Sequence, residues 1–417
     1  MALNTQSKII YSRFLTKFGD YGWDLSLTLM LAHLFPQSLR EIGAYFLVSV
    51  LSVIIFVPKI TKKFDQTNRI KNITLGITLE LIGILGITFL VLSLDHSSEI
   101  TYLTLGMIIL LGASAKVGAS LLDISISADW IPTIFKKGTL GGVNSQVRRI
   151  DLIAEVTGPV MAGFVMTYTW GFFLIATLNI TTFIIEFIFL KSIYHSELAL
   201  QEAHLKNKAF PSNHKSEFGL SVLLRQYSAP LIFANACLWF TVLTPHGPLL
   251  TTYLKNSLAV SESSLGIFQG LGALFGVLPT FYYMSLSRYF GKEKFAALSL
   301  SLQLACLAIA FYVLTTNPSL TIFYAAILLS RAGLYGFVLA ETEIRQESVS
   351  ENERSYVAGI SSSLKHSTNV LLYIFTIFLY QLNDFYYLAL GSLVSVGIAC
   401  GLSWLMVRKS NKGQSAY

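Results

Sequence analysis

Long apolar segments recur from one end of this 417-residue chain to the other, and short polar segments separate them. Most apolar segments contain about 20 residues, the length at which an α-helix crosses the hydrocarbon core of a bilayer. In lipid, helices and closed barrels are the structures that satisfy every backbone polar group. The pattern predicts an all-α integral membrane protein with about twelve transmembrane helices. The predicted spans are residues 14–35, 41–58, 73–94, 100–127, 143–168, 171–191, 229–254, 263–287, 295–315, 318–341, 355–381 and 384–407.

The composition supports this interpretation. Hydrophobic residues make up 53% of the chain and charged residues 13%, whereas soluble domains average about 25% charged residues. The polar segment MALNTQSK precedes the first span without a small-residue cleavage site, so we expect no cleavable signal peptide.

Lysines and arginines are concentrated on one predicted side of the membrane, where the two termini and the longest polar segment lie. The opposite side carries Arg40 and Lys255. The positive-inside rule therefore places both termini in the cytoplasm, and we expect a multi-pass protein of the bacterial inner membrane. This topology explains the net charge of +7, so we predict the lipid bilayer and no nucleic acid as a partner.

The polar stretch of residues 195–228 divides the chain into two parts of about six spans each. We predict an N-terminal half of residues 1–194, a cytoplasmic linker of residues 195–228 and a C-terminal half of residues 229–417. This 6+6 arrangement resembles the major facilitator superfamily, whose halves are related by an axis along the membrane normal.

The seventh span contains the sequence Thr244-Pro245-His246-Gly247-Pro248. Each proline removes a backbone donor and clashes with the preceding turn, so we predict that the helix unwinds here. Broken helices at this depth are tolerated where they line a cavity, and they often mark ion sites. The imidazole of His246 is a ligand that first-row transition metals favour. The alternative is a hydrogen-bonded structural histidine.

Acidic and amide side chains interrupt the apolar spans of the N-terminal half. A carboxylate at this depth costs about 2.5–3.5 kcal/mol on insertion scales, so such groups usually face a polar cavity. Their oxygens suit a hard cation such as Ca²⁺ and, less selectively, Mn²⁺ or Fe²⁺. A proton relay or a structural hydrogen-bond network is the alternative. The candidate residues are Thr16, Asp20, Asp24, Glu80, Asn179, Thr182, Phe183 and Glu186.

Opposite charges also lie at the cytoplasmic ends of the predicted spans. Together they predict salt bridges that close an inner gate in one of two states. The gate candidates are Asp65, Arg69, Asp129, Arg148, Arg149 and Asp151. The sequence contains no nucleotide-binding loop, HExxH or GxSxG motif, so we expect no ATP coupling and no enzyme.

Taken together, these motifs resemble the ferroportin family of iron exporters, and its bacterial members in particular. The matching segments are Gly19-Asp20-Tyr21-Gly22-Trp23-Asp24, Phe64-Asp65 to Arg69, Asp129-Trp130, Val147-Arg148-Arg149-Ile150-Asp151, Asn179 to Glu186, Trp239 to Gly247, and Ser330 to Phe337. The resemblance covers nearly the whole chain, and the RRID and GDxxWD segments are its more specific parts.

The resemblance implies an alternating-access exporter of Fe²⁺ that also accepts Co²⁺. Mn²⁺ and Ni²⁺ are further candidate substrates. It further implies uniport or proton antiport, Ca²⁺ as an activating cofactor, and a monomer. The implied N-terminal metal site comprises Thr16, Asp20, Asn179, Thr182 and Phe183, and the calcium ligands are Asp20, Glu80, Asn179 and Glu186. In the C-terminal half it implies His246 as the metal ligand, with His366 as a candidate second imidazole.

Two positions depart from the family pattern. Glu80 stands where the resemblance implies a glutamine, which predicts a more acidic N-terminal site. Gly247 follows His246 where vertebrate members have a regulatory cysteine, so we expect no regulation by a peptide hormone.

Two other functions are considered. An exporter of organic cations or siderophores would use Asp20 and Glu186 as counter-charges, with Phe183, Trp23 and Tyr335 as aromatic contacts. A lipid-acting membrane enzyme would need an acid/base pair near the interface. His33 and His96 lie near the predicted outer face, but neither has a partner close in sequence.

Overall fold

A computed structural model describes residues 4–61, 67–93, 102–135, 137–201, 219–316, 319–349 and 354–414. Asp65 and His96 lie outside the described residues, so the model places neither of them. The chain divides into two compact units. The first comprises Met1–Ala209 and Leu254–Gly270, and the second comprises Phe210–Tyr253 and Leu271–Tyr417. The segment Leu254–Gly270 was predicted in the C-terminal half, residues 229–417, but it packs with the first unit.

The described residues of both units are mainly helical. The helices are α1 (Thr5–Leu34), α2 (Arg40–Thr61), α3 (Arg69–Ser93), α4 (Tyr102–Ile124), α5 (Ile131–Ile134), α6 (Lys137–Val165), α7 (Gly171–Ser196), α8 (Leu198–Gln201), α9 (Gly219–Arg225), α10 (Ala229–Cys237), α11 (Pro248–Ser257), α12 (Glu262–Val277), α13 (Pro279–Phe290), α14 (Lys292–Thr316), α15 (Leu320–Ser348), α16 (Arg354–Phe378) and α17 (Phe385–Gln414). One π-helical turn, Ser125–Trp130, links α4 to α5.

Eight described helical segments are long and apolar enough to cross a membrane. The helices α1, α6 and α16 have 30, 29 and 25 residues but do not belong to that set. Polar and charged side chains lower their hydropathy, as Arg13, Asp20 and Asp24 do in α1. Polar and ionisable groups within a membrane-spanning helix usually face the interior of the bundle or a water-filled cavity.

Glycines allow the helices of the first unit to approach closely. A Cβ atom at Gly19 of α1 would lie 2.3 Å from Oδ1 of Asn179 and 2.8 Å from Oγ1 of Thr182, both on α7. A Cβ atom at Gly118 of α4 would lie 2.8 Å from the backbone nitrogen of Glu80 on α3. Small residues at such crossings let helix backbones pack directly against each other. This packing brings the polar residues of α1, α3 and α7 into one interior.

The seventh predicted span is broken, which confirms the prediction drawn from its two prolines. Helix α10 ends at Cys237 and α11 begins at Pro248. Helix α17 compensates the exposed backbone: Ser392 accepts a hydrogen bond from the Val242 N–H at 2.8 Å, and Ser395 donates to the Cys237 carbonyl at 2.7 Å. Side chains from a neighbouring helix therefore satisfy the unwound segment, as the membrane interior requires.

Candidate functional site

The predicted N-terminal residues converge where α1 packs against α7. Thr16, Asn179, Thr182 and Phe183 are all buried there. The Thr16 hydroxyl donates to the Ser12 carbonyl at 3.0 Å, and the Thr182 hydroxyl donates to the Asn179 carbonyl at 2.7 Å. These two bonds fix the hydroxyl oxygens and leave their remaining lone pairs available as acceptors.

Two carboxylates lie in the interior of this unit. Glu80 is 2% exposed and Glu186 is fully buried. Their four carboxylate oxygens accept no hydrogen bond from the described residues. The Nδ2 atom of Asn179 likewise donates none to them. The Thr16 hydroxyl is within reach of Glu186, but it donates to Ser12 instead. Burying carboxylates without donors is costly, so these side chains fit a cation that the oxygens can coordinate.

Asp20 joins this group electrostatically, because its charge acts on both Glu80 and Glu186. Lysines compete for the acidic residues of α1. The Lys17 ammonium lies 3.6 Å from an oxygen of Asp20. The Lys116 ammonium of α4 contacts both oxygens of Asp24, at 2.6 and 2.7 Å. Asp24 is thus neutralised by a basic partner, and it is less suited than Asp20 to hold a metal.

Across the described residues, no three His, Cys, Asp or Glu side chains form a group that could hold a metal ion. The predicted calcium set of Asp20, Glu80, Asn179 and Glu186 therefore lies in one interior without forming a closed coordination shell. Its chemistry still fits calcium, because carboxylate and amide oxygens are the ligands that Ca²⁺ takes.

Three of the predicted gate residues, Arg69, Asp129 and Asp151, take part in two separate groups of described ion pairs within the first unit. The Arg69 guanidinium donates to both oxygens of Asp129, at 3.0 and 2.8 Å. It also donates to the Ala199 carbonyl at 3.0 Å and to the Thr133 hydroxyl at 3.3 Å. Arg69 thereby joins the start of α3 to the π-helical turn, α5 and α8.

Asp151 pairs with Arg13 of α1, a residue outside the predicted set of gate residues. The Arg13 guanidinium donates to the two oxygens of Asp151 at 2.8 and 3.2 Å, and it lies 2.6 Å from Asp123. Arg148 and Arg149 are exposed, and no described ion pair includes either of them. The signal that could have identified Arg13 is its spacing from Asp20 along the polar face of α1.

The second unit contains a cavity of about 450 Å³ beside the broken span. His246 lines it together with Thr244, Arg331 and Tyr335. Arg331 is buried, donates to the Thr244 hydroxyl at 2.9 Å, and lies 5.7 Å from the centre of the Tyr335 ring. None of the described lining residues is an aspartate or glutamate.

His366, the candidate second imidazole, is not among the residues that line this cavity. Its ring packs against the Trp239 indole, with 5.8 Å between the ring centres. In the described structure, His246 is therefore the histidine that faces the cavity.

Comparison with known proteins identifies relatives over nearly the whole chain. Residues 4–396 match the family model described as Ferroportin1 (FPN1). The protein named Ferreportin from Bdellovibrio bacteriovorus is 32% identical over 416 residues, which cover 95% of this chain and 93% of that protein.

Solved structures lead to the same group. A bacterial homologue of the iron transporter ferroportin in its inward-facing state has a TM-score of 0.85 and 28% identity, over 96% of this chain and 98% of that one. An outward-facing structure of a bacterial homologue with soaked iron has a TM-score of 0.66 and 29% identity, over 97% and 100%. This likeness confirms the predicted fold class, an all-α membrane transporter fold like that of the major facilitator superfamily.

Proposed function

Because the chain belongs to the Ferroportin1 family, we propose that it exports Fe²⁺ and related divalent metals such as Co²⁺ from the cytoplasm by alternating access. The observation that carries this proposal is the burial of Glu80 and Glu186 within the first unit, with carboxylate oxygens that receive no hydrogen bond from the described residues. In an apolar interior, a divalent cation offsets the cost of such charges. The names of the relatives support iron as the transported ion.

The N-terminal metal site is formed by residues of α1 and α7. Asp20 provides the carboxylate, Thr16, Asn179 and Thr182 provide neutral oxygens, and the buried Phe183 ring excludes water. An oxygen set of this kind binds Mn²⁺, Fe²⁺ or Co²⁺ without strong selectivity between them. A transport site must also release its ion, so a weakly selective set of oxygen ligands suits it.

Calcium is the proposed activating cofactor, held by Asp20, Glu80, Asn179 and Glu186. When bound, it would supply two positive charges to the carboxylates of Asp20, Glu80 and Glu186, which would have to draw together around it. The protein's own residues then orient the oxygens: Gly19 lets α7 approach α1, and Gly118 lets Glu80 approach α4. Because Asp20 belongs to both sets, calcium and the transported metal affect each other through it.

His246 is the proposed metal ligand of the second unit. An imidazole favours Fe²⁺ and Co²⁺ over Ca²⁺, so this site distinguishes the cargo from the cofactor. Metal binding to imidazole and carboxylates requires their deprotonated forms, which would couple metal release to proton uptake. A proton antiport follows if these protons come from the side where the metal leaves.

The proposed elements of the cytoplasmic gate are Asp65, Arg69, Asp129, Arg148, Arg149 and Asp151. Among them, Arg69, Asp129 and Asp151 take part in described ion pairs of the first unit. Exposed pairs contribute about 0–1 kcal/mol each, but several pairs together bias two states that differ by a few kcal/mol. We place the protein in the cell membrane as a monomer, with both termini in the cytoplasm and without regulation by a peptide hormone.

The test is uptake of Co²⁺ or Fe²⁺ into proteoliposomes that contain the purified protein, with and without Ca²⁺. We expect saturable flux that Ca²⁺ raises and that Asp20→Ala and His246→Ala each lower at least tenfold. The matched control is His195→Ala, because His195 is an exposed histidine at the end of α7. The same flux is then measured with a liposome interior more acidic than the outside, which should raise metal uptake if protons leave in exchange for the entering metal.

Metal flux no greater than that of empty liposomes would contradict metal export. In that case, transport of an organic cation that persists in His246→Ala would favour the alternative exporter. Equal flux with and without Ca²⁺ would remove calcium from the mechanism.

A further inference from the structure

The cavity of the second unit carries positive charge without matching negative charge on its walls. Arg331 and Lys365 both line it, together with the amides of Asn235 and Asn369. No aspartate or glutamate is found among its described lining residues. A bare divalent cation that entered here would meet two like charges. An anion would meet two opposite charges and several hydrogen-bond donors.

The side chain of Arg331 is held in place by its neighbours. It is 7% exposed, its Nη1 atom donates to Thr244, and its guanidinium lies over the Tyr335 ring. A guanidinium has five N–H groups in a rigid planar arrangement, and this arrangement matches the two oxygens of a carboxylate. The contacts with Thr244 and Tyr335 restrict the side chain, so little entropy is lost when an anion binds.

Lys365 adds a second positive charge from α16. Glu341 is the acidic residue that interacts electrostatically with Lys365. Glu341 accepts hydrogen bonds from Asn235 at 3.1 Å and from Arg345 at 2.8 Å. Its carboxylate is therefore engaged by two other donors and does not line the cavity.

The size of the cavity also exceeds what a metal ion requires. A volume of about 450 Å³ lies within the range of pockets that hold small organic molecules, which is about 300–1,000 Å³. The aromatic rings of Trp239, Tyr335 and Tyr373 form part of the wall. Apolar walls with a few charged groups are typical of sites for organic ligands.

We propose that this cavity binds a small organic anion with two or three carboxylate groups, held by Arg331 and Lys365 beside His246. Binding of the anion follows from the cavity alone. A further role rests on the proposed function: the bound anion supplies oxygen ligands to a metal ion on His246 and neutralises the charge of Arg331 and Lys365. Metal would then occupy the second unit together with its organic ligand.

The experiment measures binding of radiolabelled citrate to the purified full-length protein in detergent, without added metal, by equilibrium dialysis. We expect saturable binding that Arg331→Gln and Lys365→Gln each weaken at least tenfold. Arg331→Lys should restore part of the affinity, because it keeps the charge but loses the planar arrangement of donors. The matched control is Arg288→Gln, at an exposed arginine of α13 in the same unit, and it should bind citrate as the wild type does.

Three results would overturn the inference: binding that does not saturate, binding that is equal in wild type and both glutamine variants, or displacement of citrate by lower concentrations of inorganic phosphate than of unlabelled citrate. Lys365→Gln keeps the test valid if Arg331→Gln fails to fold, because Lys365 is half-buried. Metal flux is measured separately, with and without citrate. Flux without any citrate binding contradicts this inference alone, and citrate binding with no metal flux in either condition contradicts the proposed metal export.

Discussion

The Lys116 ammonium on α4 contacts both carboxylate oxygens of Asp24 on α1, at 2.6 and 2.7 Å. The pair lies near the other buried acidic residues of this unit, because the charge of Lys116 also acts on Asp20 and Glu80. A lysine within a span is costly unless an acidic partner compensates it. Lys116 is thus a resident positive charge next to the proposed cation site, and it limits how strongly that site attracts cations.

Replacement of this charge should tighten calcium binding. In Lys116→Gln, the carboxylates of Asp20 and Glu80 lose a positive neighbour, so we expect Ca²⁺ to bind roughly tenfold more tightly, about 1.4 kcal/mol. Calorimetric titration of the purified protein with Ca²⁺ measures this change. The control is Lys191→Gln, at an exposed lysine of α7. Calcium affinity that is unchanged or weaker in Lys116→Gln would rule out this role of Lys116.

Glu80→Gln tests the acidic residue that departs from the family pattern. The substitution keeps the shape of a fully enclosed side chain and removes its charge, so the calcium-free protein should gain roughly 1–3 kcal/mol of stability. Calcium should raise the melting temperature of the variant less than that of the wild type, because one carboxylate ligand is lost. Thermal melting with and without Ca²⁺ measures both effects. A variant that calcium stabilises as strongly as the wild type would show that Glu80 is not a ligand.

Gly19→Ala should disturb the contact between α1 and α7. Its Cβ atom would lie 2.3 Å from Asn179 Oδ1 and 2.8 Å from Thr182 Oγ1, so we expect a loss of about 1–3 kcal/mol in the free energy of unfolding. The control is Gly106→Ala in α4, because a Cβ atom there meets nothing within 4 Å. In a helix that change should be neutral or stabilising, by up to about 1 kcal/mol. Denaturation of the two variants in detergent decides the point, and equal stabilities would refute it.

Arg13→Gln should destabilise the first unit more than loss of an exposed arginine does. Arg13 is buried and holds Asp151 and Asp123, so its removal leaves Asp151 without its cation, while Asp123 keeps the Lys17 ammonium at 3.7 Å. We expect a loss of about 2 kcal/mol, below the usual cost for a fully buried pair because Asp123 is partly exposed. Arg149→Gln, at an exposed position, should change stability by less than about 0.5 kcal/mol. A comparable loss in both variants would contradict the assignment of Arg13.

Local features of the sequence predicted the architecture well. Runs of apolar residues predicted helices because each span must satisfy its own backbone in lipid. The break in the seventh span was equally predictable, since Pro245 and Pro248 act on their own helix turn. The spacing of Thr16 and Asp20, and of Asn179, Thr182 and Glu186, placed each set on one face of a helix.

The sequence did not indicate which faces meet. Asp151 has Arg148 and Arg149 as near neighbours in sequence, yet its partner is Arg13, 138 residues away. Asp24 and Lys116 are 92 residues apart, and the cavity of the second unit combines Arg331 and Lys365 from different helices with His246. Periodicity describes one helix at a time, whereas these pairs depend on how close two helices approach. Glycines such as Gly19 and Gly118 set that distance, and their effect depends on the side chain that lies opposite in the folded protein.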